Sequence, residues 1–305
     1  MRTLWLASFP KSGNTWMRMM ISALAVPEGG ELDINDPPEL GGMATSSLTF
    51  DYHTLVDSSL LTHDEIDRLR PSFHAAEASA ARTLDDDAAT PELARPRFVK
   101  THDAYTRLPD GAPLLAGRQG ADGAVLIVRD PRDVAPSLAN HGALGLDGCI
   151  TAMADPAYAL RGELDRGANQ LRQQLRGWSG FIESWLAQTD LPTIVVRYED
   201  MLTDPAAALG QVMDLAGDPK PVEALARAVA LTQFAQLQRQ EAEAGFRERW
   251  PEAKTGFFRR GEAGAWKDEL TAAQVARIEA AHGLMMRRLG YEMAGASAVA
   301  APGAA

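Results

Sequence analysis

Leu4-Trp5-Leu6-Ala7-Ser8-Phe9-Pro10-Lys11-Ser12-Gly13-Asn14-Thr15-Trp16 decides how this chain is read. An apolar run of strand length stops at a proline, and a lysine, small polar residues and a glycine follow. Apolar residues then recur at Trp16, Met17, Met20, Ile21 and Leu24, the spacing of one helix face. The pattern reads as buried strand, tight loop and helix N-terminus. Backbone N–H groups at such a terminus have no partner within the helix and carry partial positive charge. Lys11 adds a full charge beside them. The combination suits a phosphate-like dianion.

Outward from this stretch, three more short apolar runs read as strands, Arg97–Thr101, Ala124–Arg129 and Thr193–Arg197, alongside Leu4–Phe9. Helical patterns lie between them, over 12–25, 62–83, 131–141, 167–188, 205–216 and 220–230. Strands alternating with helices predict an α/β fold in three layers, a mostly parallel sheet flanked by helices. Ligands of such sheets bind at the carboxyl ends of the strands. Lys11 to Thr15, Lys100 to His102 and Arg129 to Asp133 all fall there. Thr62-His63-Asp64-Glu65, Thr203-Asp204-Pro205 and Thr271-Ala272-Ala273-Gln274 read as helix starts. Segments 27–50, 84–96, 109–123 and 142–165 read as loops, some of them long enough to shape a substrate mouth. One domain is expected over 1–292, with a fraying Ala/Gly/Ser/Pro-rich tail over 293–305.

Bulk properties narrow the function. The 305 residues carry a net charge of −11, which argues against a general nucleic-acid binder. A polyanionic ligand then needs a local basic pocket, and Lys11 with Arg18, Arg129 with Arg132, and Arg259 with Arg260 are suitably clumped. No apolar run is long enough to span a bilayer, and no cleavage site follows the N-terminal run, so a cytoplasmic protein is expected. Cys149 is the only cysteine, so neither a disulfide framework nor a multi-cysteine zinc site is expected. His53, His63, His74, His141 and His282 lack metal-ligand spacing, and no metal is expected. The 10–15 loop is related to the nucleotide phosphate loop, but its lysine precedes its only glycine and no magnesium carboxylate is evident. An anion other than the terminal phosphate of ATP fits better, on a phosphate-loop-nucleotidase-like fold.

Taken in order, five segments resemble the sulfotransferase family that uses 3′-phosphoadenosine 5′-phosphosulfate (PAPS). They are Pro10-Lys11-Ser12-Gly13-Asn14-Thr15-Trp16; Lys100-Thr101-His102; Arg129-Asp130-Pro131-Arg132-Asp133-Val134 with Ser137; Tyr198-Glu199-Asp200-Met201; and Arg259-Arg260-Gly261 with Gly264-Ala265-Trp266-Lys267. The resemblance implies a 5′-phosphosulfate loop at Lys11, Ser12, Gly13, Asn14 and Thr15, and a 3′-phosphate site at Arg129 and Ser137 that Arg259, Arg260 and Gly261 close. It implies a base pocket at Trp16, Tyr198, Thr232 and Phe234. His102 is then the catalytic base, with Lys11 and Lys100 stabilising charge on the transferring group.

The implied reaction is in-line transfer of a sulfuryl group from PAPS to a hydroxyl or amine of a small-molecule acceptor, with adenosine 3′,5′-bisphosphate as product. The residues after His102, Asp103-Ala104-Tyr105, look more like bacterial members. A short dimerisation pattern is only half matched, at Lys267 and Thr271 but not at Ala272 and Ala276. Tyr105, Phe50, Phe246, Trp250 and Phe257 offer apolar surface for an acceptor. Two alternatives stay open: a nucleotide kinase-like phosphotransferase, and a non-catalytic nucleotide-binding protein on the same fold.

Overall fold

A computed structural model describes residues 2–38, 40–86, 95–161 and 169–294. The tail expected over 293–305 lies almost wholly outside the described residues, as does most of the segment 84–96. Four parallel strands form the central sheet: β1 (Thr3–Ser8), β2 (Arg97–Thr101), β3 (Gly123–Val128) and β6 (Thr193–Arg197), in the order β2-β1-β3-β6. The register is continuous, with Leu6 opposite Lys100 and Val125, and Val128 opposite Arg197. The short strands β4 (Ala159–Leu160) and β5 (Gln173–Gln174) make a separate antiparallel pair.

Every residue of β1 and β3 is buried, so both faces of the sheet need cover. Alternation divides them between two cores. Trp5, Ala7, Ala124, Leu126 and Val128 face one core, which α4 (Pro131–His141), α5 (Leu146–Ala154), α6 (Gly177–Ala187) and α12 (Ala272–Arg288) cover. Leu4, Leu6, Val125 and Ile127 face the other, which α1 (Asn14–Ala23), α8 (Pro205–Leu215), α9 (Val222–Leu231) and α10 (Phe234–Ala244) cover. The two layers of helix and one of sheet are those the sequence predicted. A third, smaller cluster joins α2 (Ser47–Thr54) to α3 (His63–Asp86) through Phe50, Ile66 and Phe73. Short helices α7 (Tyr198–Thr203) and α11 (Trp266–Glu269) complete the set.

The three helix starts are built as their sequences imply. Thr62 and Glu65 bond each other's backbone N–H, Asp204 accepts from Ala207, and Thr271 with Gln274 forms a full capping box. Elsewhere the pattern misled. The helix expected over 167–188 spans only Gly177–Ala187, because Gln173–Gln174 pairs as a strand and Arg176 takes a left-handed backbone, φ 59°. Segments read as loops contain α5 and the first half of α2, and α5 opens on Gly145 with no capping side chain. The chain leaves β1 for β2 on one side and β3 for β6 on the other. The crevice between the carboxyl ends of β1 and β3 is therefore the switch point at which such sheets bind ligands.

Candidate active site

The switch point opens into a cavity of about 870 Å³. Three strand ends feed it. After β1 the chain turns through Lys11, whose φ of 66° is unusual for a residue with a side chain, and enters α1 at Gly13, φ 103°. Gly13 cannot be replaced cheaply, since a Cβ there would lie 2.7 Å from the Tyr198 ring. It also offers no capping side chain, so the first N–H groups of α1 are left to a ligand. After β2 come Lys100, Thr101 and His102. After β3 comes Arg129, whose guanidinium donates to the Lys11 carbonyl at 3.3 Å and lies 4.3 Å from the Tyr198 ring centre.

Concentrated positive charge shapes the titration of this site. Burial, then the nearby Lys100 and Arg129 charges, pull the Lys11 ammonium down to about 7. It sits 3.6 Å above the Phe257 ring, a contact that favours a cation. Burial also lowers Lys100, against the pull of Glu248. His102 falls to about 3, through burial first and the Lys100 charge second. Its Nδ1 lies 2.6 Å from the Ser8 carbonyl. A carbonyl only accepts, so Nδ1 carries the proton and Nε2 keeps its lone pair. A neutral imidazole of fixed tautomer, on the cavity wall beside two lysines, is an arrangement for taking a proton.

The structure brings Lys11, Gly13, Asn14, Thr15, Trp16, Lys100, His102, Arg129, Ser137, Tyr198, Phe234, Arg259, Arg260 and Gly261 to one cavity. It does not bring Ser12 or Thr232 there. Ser12 is buried with its hydroxyl unpartnered. Thr232 is wholly buried, bonds back to Ala228, and meets the site only through its carbonyl, which accepts from the Trp16 indole at 3.1 Å. Asn14 also departs from expectation: its amide turns back to Leu6 O at 2.9 Å and Ser8 Oγ at 3.2 Å, so it braces the loop. Trp16 and Tyr198 meet edge to face at 6.0 Å, with Phe234 nearby on the wall. Gly261, φ 66°, touches Phe234 so closely that a Cβ would lie 2.4 Å from the ring.

Arg259 is paired with Glu269, and Arg260 with Glu262, Asp268 and Glu269. Their turn is tied to α4 by Asp133, which accepts from Gly264 N at 2.7 Å and Trp266 N at 2.9 Å. Sequence reading did not assign that brace. It also missed Glu248, whose carboxylate meets Arg18, Thr15 and Lys100. Burial alone would raise Glu248, but Lys100 and Arg18 hold it down at about 2. No motif surrounds Glu248, so only the fold reveals it. On the far wall His141 stacks on Trp250 at 4.8 Å and meets Phe257 at 5.5 Å. Trp250 and Phe257 line the cavity as expected of acceptor surface, whereas Tyr105, Phe50 and Phe246 are buried in the cores. Met43, Ala143, Leu160 and Leu237 bring the segments 27–50, 142–165 and 236–258 to its wall.

Among the described residues no group of three or more His, Cys, Asp or Glu is placed to hold a metal, and no helix is long and apolar enough to cross a membrane. Residues 1–290 match the family model for the sulfotransferase domain. The flavonol 3-sulfotransferase of Flaveria bidentis is 24% identical over 287 residues, covering 90% of this chain and 79% of its own. Cytosolic sulfotransferase 17 of Arabidopsis thaliana is 24% identical over 289 residues, covering 90% and 71%. Among solved structures, a mouse sulfotransferase complexed with PAP superposes with a TM-score of 0.55 at 18% identity, over 94% of this chain and 85% of that one. Retinol dehydratase in complex with androsterone and PAP gives 0.53 at 18% identity, over 93% and 80%.

Proposed function

Since the chain belongs to the sulfotransferase domain family, we propose that it moves a sulfuryl group from PAPS to a hydroxyl or amine of a small-molecule acceptor, with His102 as the base. The observation that carries this reading is the junction of three strand ends in one cavity: the Lys11 turn, Lys100 with His102, and Arg129. The residues fit the donor. The uncapped first turn of α1, Lys11 and the Thr15 hydroxyl suit the 5′-phosphosulfate. Arg129, with Ser137 on α4 and the Arg259-Arg260-Gly261 turn, suits the 3′-phosphate, where a guanidinium grips two oxygens. Trp16, Tyr198 and Phe234 offer ring surface to adenine.

His102 takes the acceptor's proton on Nε2 as the acceptor oxygen or nitrogen attacks sulfur. Nδ1 keeps its bond to Ser8 and holds the ring in place. Lys11 and the loop amides stabilise the charge that grows on the departing bisphosphate oxygen, and Lys100 steadies the transferring oxygens. Trp250, Phe257, Leu138 and Leu160 make the acceptor side largely apolar, which favours an aromatic or amphipathic small molecule. The name of the Flaveria bidentis relative, a flavonol sulfotransferase, points the same way.

Thermal denaturation with adenosine 3′,5′-bisphosphate, without magnesium, tests the donor site. At 100 times Kd the ligand should add about 2.7 kcal/mol of stability. PAPS turnover across a panel of phenols, alcohols, amines and sugars then names the acceptor class. Stabilisation only by magnesium-ATP would overturn the reading in favour of a kinase-like transfer.

A further inference from the structure

Glu248 stands where the transferred group should go. Its carboxylate receives the Arg18 guanidinium at 2.6 Å, the Thr15 hydroxyl at 3.2 Å and the Lys100 ammonium at 3.3 Å. Thr15 and Lys100 are the two groups that the reading above gives to the phosphosulfate and its transferring oxygens, and this inference rests on that reading. One small planar anion therefore already sits on the seat of another. The two cannot share it, since a carboxylate beside a sulfuryl oxygen sets like charges together in a partly buried place.

Glu248 stands on a segment without regular structure, anchored at its two ends. No helix or strand runs from Ala244 to Trp266. The segment leaves α10 at Gly245, φ 74°, and is tacked to Asn35 by two hydrogen bonds of 2.9 Å, one from the Asn35 amide to the Gly245 carbonyl and one from Arg247 N to the Asn35 oxygen. Further on, Lys254 N donates to the Asn140 carbonyl at 3.0 Å. Between these tacks Arg249 bonds within the segment and Trp250 packs on His141, while the Glu248 side chain, 28% exposed, is held by its own bonds to Arg18, Thr15 and Lys100.

We propose that Glu248 is a specificity residue of the donor site: its carboxylate occupies the sulfuryl seat as an internal competitor and is displaced by ligands that bring their own anion to Lys100. The competitor is tethered, so it acts at a high effective concentration. Binding a donor then carries the cost of shifting the segment to its open arrangement. The product, which ends at the 5′-phosphate, contends with the Thr15 contact but not with the Lys100 contact. The carboxylate can return to Lys100 while the bisphosphate is still bound and thereby favours its release. Donor and product affinities are set apart by one side chain.

Titration calorimetry of wild type and Glu248→Gln, with PAPS and separately with adenosine 3′,5′-bisphosphate, tests this. The amide keeps the shape and loses the charge. PAPS should bind ~tenfold more tightly to the variant, and the bisphosphate no more than about threefold more tightly. Unchanged or weakened PAPS binding would overturn the proposal and make Glu248 a plain support for Lys100. If Glu248→Gln does not fold, Glu248→Ala removes the carboxylate altogether and should shift PAPS binding in the same direction. A wild type that binds neither nucleotide would instead remove the donor reading itself.

Discussion

The loop over 10–16 and the segment over 245–261 bring charge to the same cavity, yet they are held in opposite ways. The first hangs between a wholly buried strand and a helix whose face is buried, and its geometry is fixed by the β1 register and by Gly13 against Tyr198. The second has no regular structure and is held by separate bonds to Glu241, Asn35 and Asn140, with Phe246 and Phe258 as its apolar anchors. A group that must meet a reacting atom within a fraction of an ångström belongs on the first kind of support. A group that must yield to an incoming ligand belongs on the second, since each neutral bond there is worth only about 0.5–1.5 kcal/mol.

The sharpest way to break this contrast is to remove a group from the rigid side. His102→Ala should lower kcat by ~10²–10⁴-fold, the usual worth of a positioned base. Bisphosphate affinity should stay within about threefold, because β2 and its neighbours hold the remaining wall without the imidazole. Single-turnover assays with PAPS and calorimetry with the bisphosphate separate the two effects. A large loss of affinity with turnover intact would mean that His102 is a wall residue. The pH profile adds a second check. With His102 held at about 3, kcat/KM of the free enzyme should show no acid limb near 6.5.

The same contrast explains what could be read from the chain alone. Strand, turn and helix N-terminus follow one another within a dozen residues, so Lys11 and Arg129 announced themselves through local pattern. Lys100 and His102 did so by their place at a strand end. Glu248 gave no such signal, because its role comes from contacts with Thr15, Arg18 and Lys100 that lie far away in sequence. Asp133 stood inside a recognisable segment, but its brace to Gly264 and Trp266 is also long-range. Thr232 shows the converse error. It was read as part of a base pocket, but its hydroxyl turns inward to Ala228, and only its backbone carbonyl reaches Trp16. Helices α5 and α10 open without a capping side chain, so no start signal marked them.

Lys11 offers a smaller effect that still sets the two regions apart. Its folded pKa of about 7 lies below the ordinary lysine value of 10.5, so the unfolded chain binds more protons between those limits. Stability without ligand should therefore rise with pH across that window, and the burial penalty should be complete below it. A dianion selects the charged lysine, so bisphosphate affinity should fall as pH rises from 7 to 9, approaching about tenfold for each pH unit. Lys11→Arg keeps its charge throughout and should flatten that slope. A wild type with constant affinity over this range would show that Lys11 is already charged, and that the cluster of cations is less strained than its burial implies.

The smallest expected effect probes the flexible side at its firmest point. Glu241 is buried, and its two carboxylate oxygens accept from the backbone of Phe257 at 2.5 Å and Phe258 at 2.9 Å. It thereby sets the ring that lies under the Lys11 ammonium. Glu241→Gln leaves one oxygen to accept and turns an amide donor toward a backbone donor, so one of the two bonds is lost. Loss of a charged hydrogen bond of this kind costs about 1.5–3 kcal/mol. If the segment opened as one piece with the core, that cost would appear in full as a lower melting temperature. If the segment is held separately, most of it appears as local opening, with faster hydrogen exchange at Phe257 and Phe258 and a modest shift in melting. The few-fold weaker bisphosphate binding that follows would come from a displaced Arg259-Arg260-Gly261 turn, while the rate of the bound donor stays unchanged. Equal losses in binding and in turnover rate would show that the segment positions the chemistry as well as covering it, and the division between the two supports would fall.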